Sequence, residues 1–465
     1  MTALVAPRLP RPRLRRIRPI LVVAASIAII AGSYIVTAIR PATVTNPISQ
    51  AVAPEQPALA GPGEAPTGGT AGIAAIDHAL KAWTANLARN SKDFLSATYI
   101  ATLYDARGRL TGDIGDYSRA QTAVAQALAI VPDYAAAQVL RARLLQTLHD
   151  FPGALAAAQA ILQKDPTVLQ ALATAGDAKL ELGDVKGAAA AFASLEAQAP
   201  GPAVTARLSR LAFIQGETAS AVSLAQRAWD EATAAGQTGG SLGWYAYLAG
   251  MTAISTGSPD AALSWFHKAL EVWPDSYLAI AGEARAEAAL GRSDDAIATY
   301  QQAIAIAPQP DALAALGDLY ALRGDARLAA DQYATVEAIG HLAAINEQVY
   351  NRQLVLFSVN HDRDLSDALQ LAQGELAVRK DAYGYDADAW ALLANGRAID
   401  ADDAASKALA FGTRDALLLY HAGEIAHAVG DDARARDLLG QALAIRGALD
   451  PLSASRAQAS MDALR

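Results

Sequence analysis

Six residues near the middle of this sequence carry side chains suited to recognition: Arg210, Phe213, Trp244, Tyr247, Met251 and Arg285. Aromatic rings are large apolar surfaces that lose little rotamer freedom on binding. A guanidinium beside them adds five N–H donors in a planar fork. The chemistry open to such a set is noncovalent: anchoring an apolar side chain, stacking, or holding a carboxylate. A plainer reading packs the same rings between helices, under a loop expected at 233–241. Both readings stand on the sequence alone.

Residues for reactive chemistry do not assemble. The seven histidines are scattered. His421 and His427 are six apart, which places them on different faces of a helix, so no metal pair is expected. His361, Asp362, Arg363 and Asp364 form a polar stretch that reads as a solvated loop between helices. There is no glycine-rich phosphate loop, no H-E-x-x-H and no G-x-S-x-G in a strand–helix setting. With no cysteine there is no thiolate ligand, thiol nucleophile or disulfide. No catalytic residue, cofactor or metal is expected. The net charge of -9 argues against a nucleic-acid partner, which usually meets a basic domain.

The elements that would position the six residues follow from a period. Ala120, Ala154 and Ala188 are 34 residues apart, as are Pro132, Pro166 and Pro200. The spacing returns in Gly257 and Gly291, Ala262 and Ala296, and Pro274 and Pro308. Hydrophobic residues make up 52% of the chain but aromatics only 6%, and much of the apolar share is alanine. Alanine favours helices and lets them approach closely, while strand signals are absent. A fixed period of this length is the mark of stacked helix-turn-helix units. Within the stretch 115–132, Gly115 is expected to end the first helix of a unit. Ala120 should mark the crossing with the second helix, and Pro132 should stop that second helix.

On these residues the chain resembles the tetratricopeptide repeat family. The resemblance implies an all-α superhelical solenoid, with about ten units spanning 91–450 and a capping helix at each end of the array, which is placed at 73–465. It implies that the first helix of each unit lines a concave groove where segments of partner proteins bind. By that frame the groove positions are Arg143, Asp177, Arg210, Phe213, Trp244, Tyr247, Met251, Arg285, Asp318, Phe357, Asn395 and Glu424. The repeated Lys, Asn and Arg set with which some family members clamp a chaperone's terminal carboxylate is missing. Residues 341–385 read as irregular, with one weak unit around Leu356, Ala368 and Ala372. Tyr383–Asp386, Ala389–Leu392 and Tyr420–Gly423 are similar to stretches of bacterial multi-repeat proteins that carry no catalytic domain.

The N-terminus differs in kind. Residues 8–18 hold six arginines, and Ile20–Ile39 follows as twenty residues without a charge. At ~1.5 Å per residue this spans ~30 Å, the thickness of a bilayer core. The arginines predict a cytoplasmic segment 1–19, a signal anchor at 20–39 and an exported array. A cleaved signal peptide is the alternative reading of the same segment. Residues 40–72, rich in proline and glycine, read as a disordered linker. The expected function is a membrane-anchored scaffold for proteins or peptides. Two alternatives remain open: a ligand-binding or enzymatic pocket in 341–385, and an adaptor facing the cytoplasm.

Overall fold

The computed structural model describes residues 70–345 and 351–465. Among them the chain is helix and turn, with 22 α-helices and no strand. The proposed anchor at 20–39 and most of the linker lie outside the described residues. No helix among the described residues is long and apolar enough to cross a membrane.

A lone first helix, α1 (Thr70–Arg89), precedes ten helical hairpins. The first three are α2 (Phe94–Thr111) with α3 (Ile114–Ile130), α4 (Ala135–Thr147) with α5 (Phe151–Lys164), and α6 (Leu169–Glu181) with α7 (Val185–Gln198). Next come α8 (Pro202–Ile214) with α9 (Thr218–Ala234), α10 (Gly239–Ser255) with α11 (Pro259–Val272), and α12 (Tyr277–Ala289) with α13 (Ser293–Ile306). The series continues with α14 (Pro310–Arg323) and α15 (Ala326–Ile345), then α16 (Asn351–Asn360) and α17 (Leu365–Val378). It ends with α18 (Ala382–Ala394) and α19 (Ala398–Leu409), α20 (Ala416–Ala428) and α21 (Asp432–Ala444), and a closing helix α22 (Pro451–Ala463).

The small residues of the period sit where helices cross. Ala120, Ala154, Ala188, Ala262 and Ala296 are completely buried. A glycine on the first helix then makes room for a ring from the second. A Cβ on Gly176 would stand 2.5 Å from the Phe192 ring, and one on Gly250 would stand 2.6 Å from Phe266. Phe192 and Phe266 are themselves fully buried, so the close approach converts small residues into burial of a large ring. Between the helices, a left-handed residue ends the first and an aspartate caps the second. Asp150 and Asp184 accept the N–H groups of Gly153 and Gly187 at 2.9 and 2.8 Å.

Four expectations need correction. Gly115 does not end a helix: Gly112, at φ 69°, ends α2, and Asp113 caps α3. Gly115 sits in the first turn of α3, donating its N–H to Asp113 Oδ1 at 2.8 Å. The turn falls three residues early because α3 has 17 residues where α5 and α7 have 14. The loop expected at 233–241 is confined to 235–238, since α9 and α10 extend into it from both sides. Residues 351–385 are regular helices rather than irregular chain. Their frame is masked because α15 runs long and α16 is short, and because Asp362 (φ 52°) and Asp364 (φ 44°) occupy positive-φ positions where other turns use glycine. In that unit Ala368 and Ala372 are buried, but the buried positions of α16 are Val355, Phe357 and Val359, and Leu356 is half-buried.

The array also meets itself at long range. Arg379, at the C-terminus of α17, donates from Nη2 to Glu181 Oε2 at 2.6 Å, across 198 residues. The Thr413 hydroxyl donates to the Ile214 carbonyl at 2.6 Å, across 199 residues. Arg285 Nη2 donates to the Ala448 carbonyl at 3.0 Å. The backbones come so close that a Cβ on Gly183 would collide with the Lys380 carbonyl, and one on Gly216 with the Gly412 carbonyl. Successive superhelical turns therefore touch along a seam. The seam joins the ends of first helices early in the array to the turns that precede first helices later in it.

Candidate functional site

First helices of the middle units bound a cavity of ≈ 90 Å³. Its lining comes from α6 (Asp177, Leu180, Glu181), α7 (Phe192), α8 (Ala203, Ala206, Arg207, Arg210) and α10 (Trp244, Tyr245, Leu248). The walls are mainly apolar side chains, and the polar groups among them are organised as ion pairs. Arg207 Nε donates to both carboxylate oxygens of Asp177 at 3.0 Å, with both residues buried. Arg207 Nη1 also reaches the Ala203 carbonyl at 3.0 Å. Arg210 Nη2 donates to Glu181 Oε1 at 2.8 Å, while the other oxygen of Glu181 takes the bond from Arg379 across the seam.

The electrostatics follow from these partners. Burial pushes the Glu181 carboxyl up, but the guanidinium charges of Arg210 and Arg379 outweigh it and hold the group at about 2. Asp177 goes the other way: burial raises it, and Arg207 only partly offsets that. The Arg210 side chain is 49% exposed and also lies deep among protein atoms, and its charge is reinforced by Glu181. Burial pushes the Tyr247 hydroxyl up to about 12, with Arg285 opposing. Asp311, in the first turn of α14, reaches solvent, yet enclosure raises its carboxyl, again with Arg285 opposing.

The six sequence-predicted residues separate into three groups. Arg210 and Trp244 line the cavity, and Tyr247 tilts against Trp244 with ring centroids 5.3 Å apart. Met251, with the far side of Tyr247, packs on the core of Ala253, Ile254 and Phe266. Phe213 packs on the core of Leu180, Ala188, Phe192, Leu211 and Ile214, against which Tyr383 from across the seam also packs, and Arg285 is tied to Ala448 across the seam. Among the wider groove positions, Arg143 pairs with buried Asp105. Phe357 is a core residue against Tyr333, so its placement on the groove is corrected.

Of the polar stretch at 361–364, Asp362 and Asp364 are exposed in the turn between α16 and α17, as expected, and only the place of His361 is corrected. His361 is not solvated: its side chain is 9% exposed, with Nε2 at 2.7 Å from Asp318 and Nδ1 at 2.7 Å from the Phe357 carbonyl. His421 is fully buried against Asp386, whereas His427 is exposed beside Asp432. Sequence reasoning missed Arg352, Glu375, Arg379 and Asp381. They converge on Glu181, and each is paired: Arg352 with Glu375 and Asp381 at 2.7 and 3.0 Å, Arg379 with the same two at 3.1 and 3.4 Å. The ionisable groups of 351–385 thus cross-link two turns. No spacing signal could have exposed a contact that occurs once, across 198 residues.

Comparison with family models agrees with a repeat architecture. Two family models, each described as tetratricopeptide repeat, match residues 106–168 and 253–319. No curated protein matches the chain. Among solved structures, similarity is found to a human IFIT1 dimer with PPP-AAAA, at 15% identity and TM-score 0.44, covering 80% of this chain and 87% of that one. The APC/C hetero-tetramer Cut9–Hcn1 follows at 14% identity and TM-score 0.31, covering 83% and 93%. The P58(IPK) TPR domain matches at 14% identity and TM-score 0.28, covering 83% and 94%.

Proposed function

The chain belongs to the tetratricopeptide repeat family, and from that premise we propose that the array is a scaffold that holds segments of partner proteins on its inner face. The observation that carries this reading is the cavity between α6, α8 and α10, where Trp244 and Arg210 stand over apolar walls. An aromatic anchor over a small apolar recess, with its cations already oriented by carboxylates, suits the capture of a side chain from a bound segment. The scaffold performs no reaction of its own in this reading. Arg210, Trp244 and Tyr247 form the contact set, with Phe213, Met251 and Arg285 supporting it.

The proposal includes attachment to a membrane through Ile20–Ile39, with the array on the extracytoplasmic side. The uncharged run and the arginines before it support this. A reporter fused after Arg465 should be active only outside the cytoplasm. Activity inside would reverse the topology. Binding is tested by placing a photo-crosslinking amino acid at position 244 in intact cells. Discrete protein adducts are expected, and they should disappear when Arg210 and Tyr247 are both replaced by alanine in a chain that still melts cooperatively. Absence of adducts at 244 would remove the cavity from the function.

A further inference from the structure

The seam repeats with one register. Counted from α2–α3, the turn of the first hairpin (Gly112) meets the junction after the sixth (Ala307 and Gln309). The turn of the third (Gly183) meets the junction after the eighth (Lys380), and that of the fourth (Gly216) meets the junction after the ninth (Gly412). The turn of the fifth (Gly257) meets the junction after the tenth (Ile445 and Arg446). Each pairing is five hairpins apart, so an edge made of turns fits an edge made of junctions. Both edges run on uncovered. A Cβ on Gly324, Gly396 or Gly430, in the turns of the seventh, ninth and tenth hairpins, would meet nothing within 4 Å among the described residues. Pro132, Pro166 and Pro200, in the junctions after the first three hairpins, are exposed.

The free turns differ from the covered ones in chemistry. Glu181, two residues before Gly183, and Asp260, three after Gly257, reach across the seam to Arg379 and Arg446 at 2.6 and 3.6 Å. The same two positions on free turns hold Leu322, two before Gly324, and Ile399, three after Gly396. Leu322 is 47% exposed, and Ile399, at 83%, is the most exposed large apolar side chain among the described residues. Val429, beside Gly430, is exposed as well. Within one chain the intervening hairpins already hold the two edges together, so polar pairs suffice. Between separate chains the contact must also offset lost translational and rotational freedom, and buried apolar area supplies that.

We infer that the free turn edge of the seventh to tenth hairpins docks on the free junction edge of a second copy of this chain, continuing the seam from one array into the next. Leu322, Ile399 and Val429 then rest against the proline-bearing junctions of the first hairpins, apolar against apolar. The contact is head to tail. Each copy keeps one edge of the other kind unused, so copies add in series rather than closing as a two-fold pair. This association depends neither on the cavity nor on what the array binds.

The chain has no cysteine, so introduced thiols report single contacts. Full-length chains in detergent are treated with a short bismaleimide. Asp260→Cys with Arg446→Cys in one chain should be bridged internally, because those positions already pair across the seam. Ile399→Cys is then mixed with chains carrying Pro132→Cys, Pro166→Cys or Pro200→Cys, one at a time. One of these mixtures should give a linked dimer well above the other two, and Ile399→Cys alone should give little. Sedimentation of the native chain should show concentration-dependent association. Ile399→Glu, which brings a charge into the contact, should weaken it about tenfold or more. Ile399 touches little of its own array, so this variant should melt as the native chain does. An unbridged internal pair would remove the seam on which the inference stands. No linked dimer in any mixture, equal yields in all three, or linking of Ile399→Cys to itself as strong as to its best partner would each overturn the inference. So would association that Ile399→Glu leaves unchanged.

Discussion

Two kinds of contact hold this array, and they use opposite chemistry. Neighbouring units meet through small residues that let large rings sink between helices, as Ala188 and Gly176 do around Phe192. Units one superhelical turn apart meet through carboxylates, guanidiniums and bare backbone, as Glu181, Arg379 and the Gly216–Gly412 approach show. The first kind is non-directional, scales with buried area and makes each unit depend on its neighbours. The second is directional, sparse and adds a constraint that a simple one-dimensional stack lacks. Neighbour contacts therefore set whether the array folds, and seam contacts set how one superhelical turn is held against the next.

The sharpest way to break this comparison is to cut one ion pair of each kind. Arg207 and Asp177 belong to adjacent units and are both buried. Removing Arg207 as Arg207→Ala leaves a buried carboxylate unpaired and should cost about 3–5 kcal/mol in a denaturant melt. Arg379 pairs across the seam with its side chain 12% exposed. Arg379→Ala should cost about 2 kcal/mol, the scale of a hydrogen bond to a charged group. Small-angle scattering of the folded proteins should invert the order, with a larger radius of gyration in Arg379→Ala and an unchanged one in Arg207→Ala. Equal expansion in both would mean that the seam has no separate role.

Overpacking is the next test. Ala188 is fully buried against Phe192 and Leu211. Ala188→Leu should destabilise by about 1–3 kcal/mol. A stack with neighbour contacts alone would show faster hydrogen exchange only in adjoining units. The seam predicts a second zone of faster exchange at 379–383, next to Gly183 across the turn. Loss confined to 151–214 would reduce the array to a plain solenoid.

A smaller effect separates turn geometry from the seam. Gly216 and Gly291 have the same φ of 78°. A Cβ at Gly291 meets nothing within 4 Å, while one at Gly216 collides with the Gly412 carbonyl. Both alanine variants should lose about 1 kcal/mol from left-handed strain. Gly216→Ala should lose more, and the excess measures the seam at that level. Melts that coincide would show that the two turns part without cost.

What could be read from the sequence follows the same division. The crossing alanines were legible because every unit must solve the same packing problem, so the solution recurs at a fixed spacing. The slip from Gly115 to Gly112 was not, because one unit changes the length of a helix while keeping its crossing residue at Ala120. The helices of 351–385 were obscured where Asp362 and Asp364 adopt the backbone conformation that glycine marks elsewhere. Of the site, Arg210, Trp244 and Tyr247 could be placed on one face by frame alone. Their partners Glu181 and Arg379 could not be joined, since the pairing depends on how many units complete a superhelical turn. Small angles between units decide that number, and no single residue states it.

The last prediction separates the two ion pairs by pH. Glu181 is held at about 2, below its ordinary 4.5, because two guanidiniums outweigh its burial. A depressed carboxyl contributes stability that is fully present above pH 4.5 and is lost as pH falls from there toward 2. Total stability will not show this, because Asp177 and Asp381 are raised by burial and act in the opposite sense. The informative quantity is the difference between wild type and Glu181→Gln. It should be constant above about pH 5 and shrink on acidification. The matching difference for Asp177→Asn should move the other way, with wild type gaining as the raised carboxyl takes up its proton. Opposite slopes would show that the seam pair is a net attraction in the folded array while the neighbour pair carries a desolvation cost offset elsewhere in its unit. Parallel slopes would mean that both pairs answer to burial alone, and the seam would then lose its electrostatic basis.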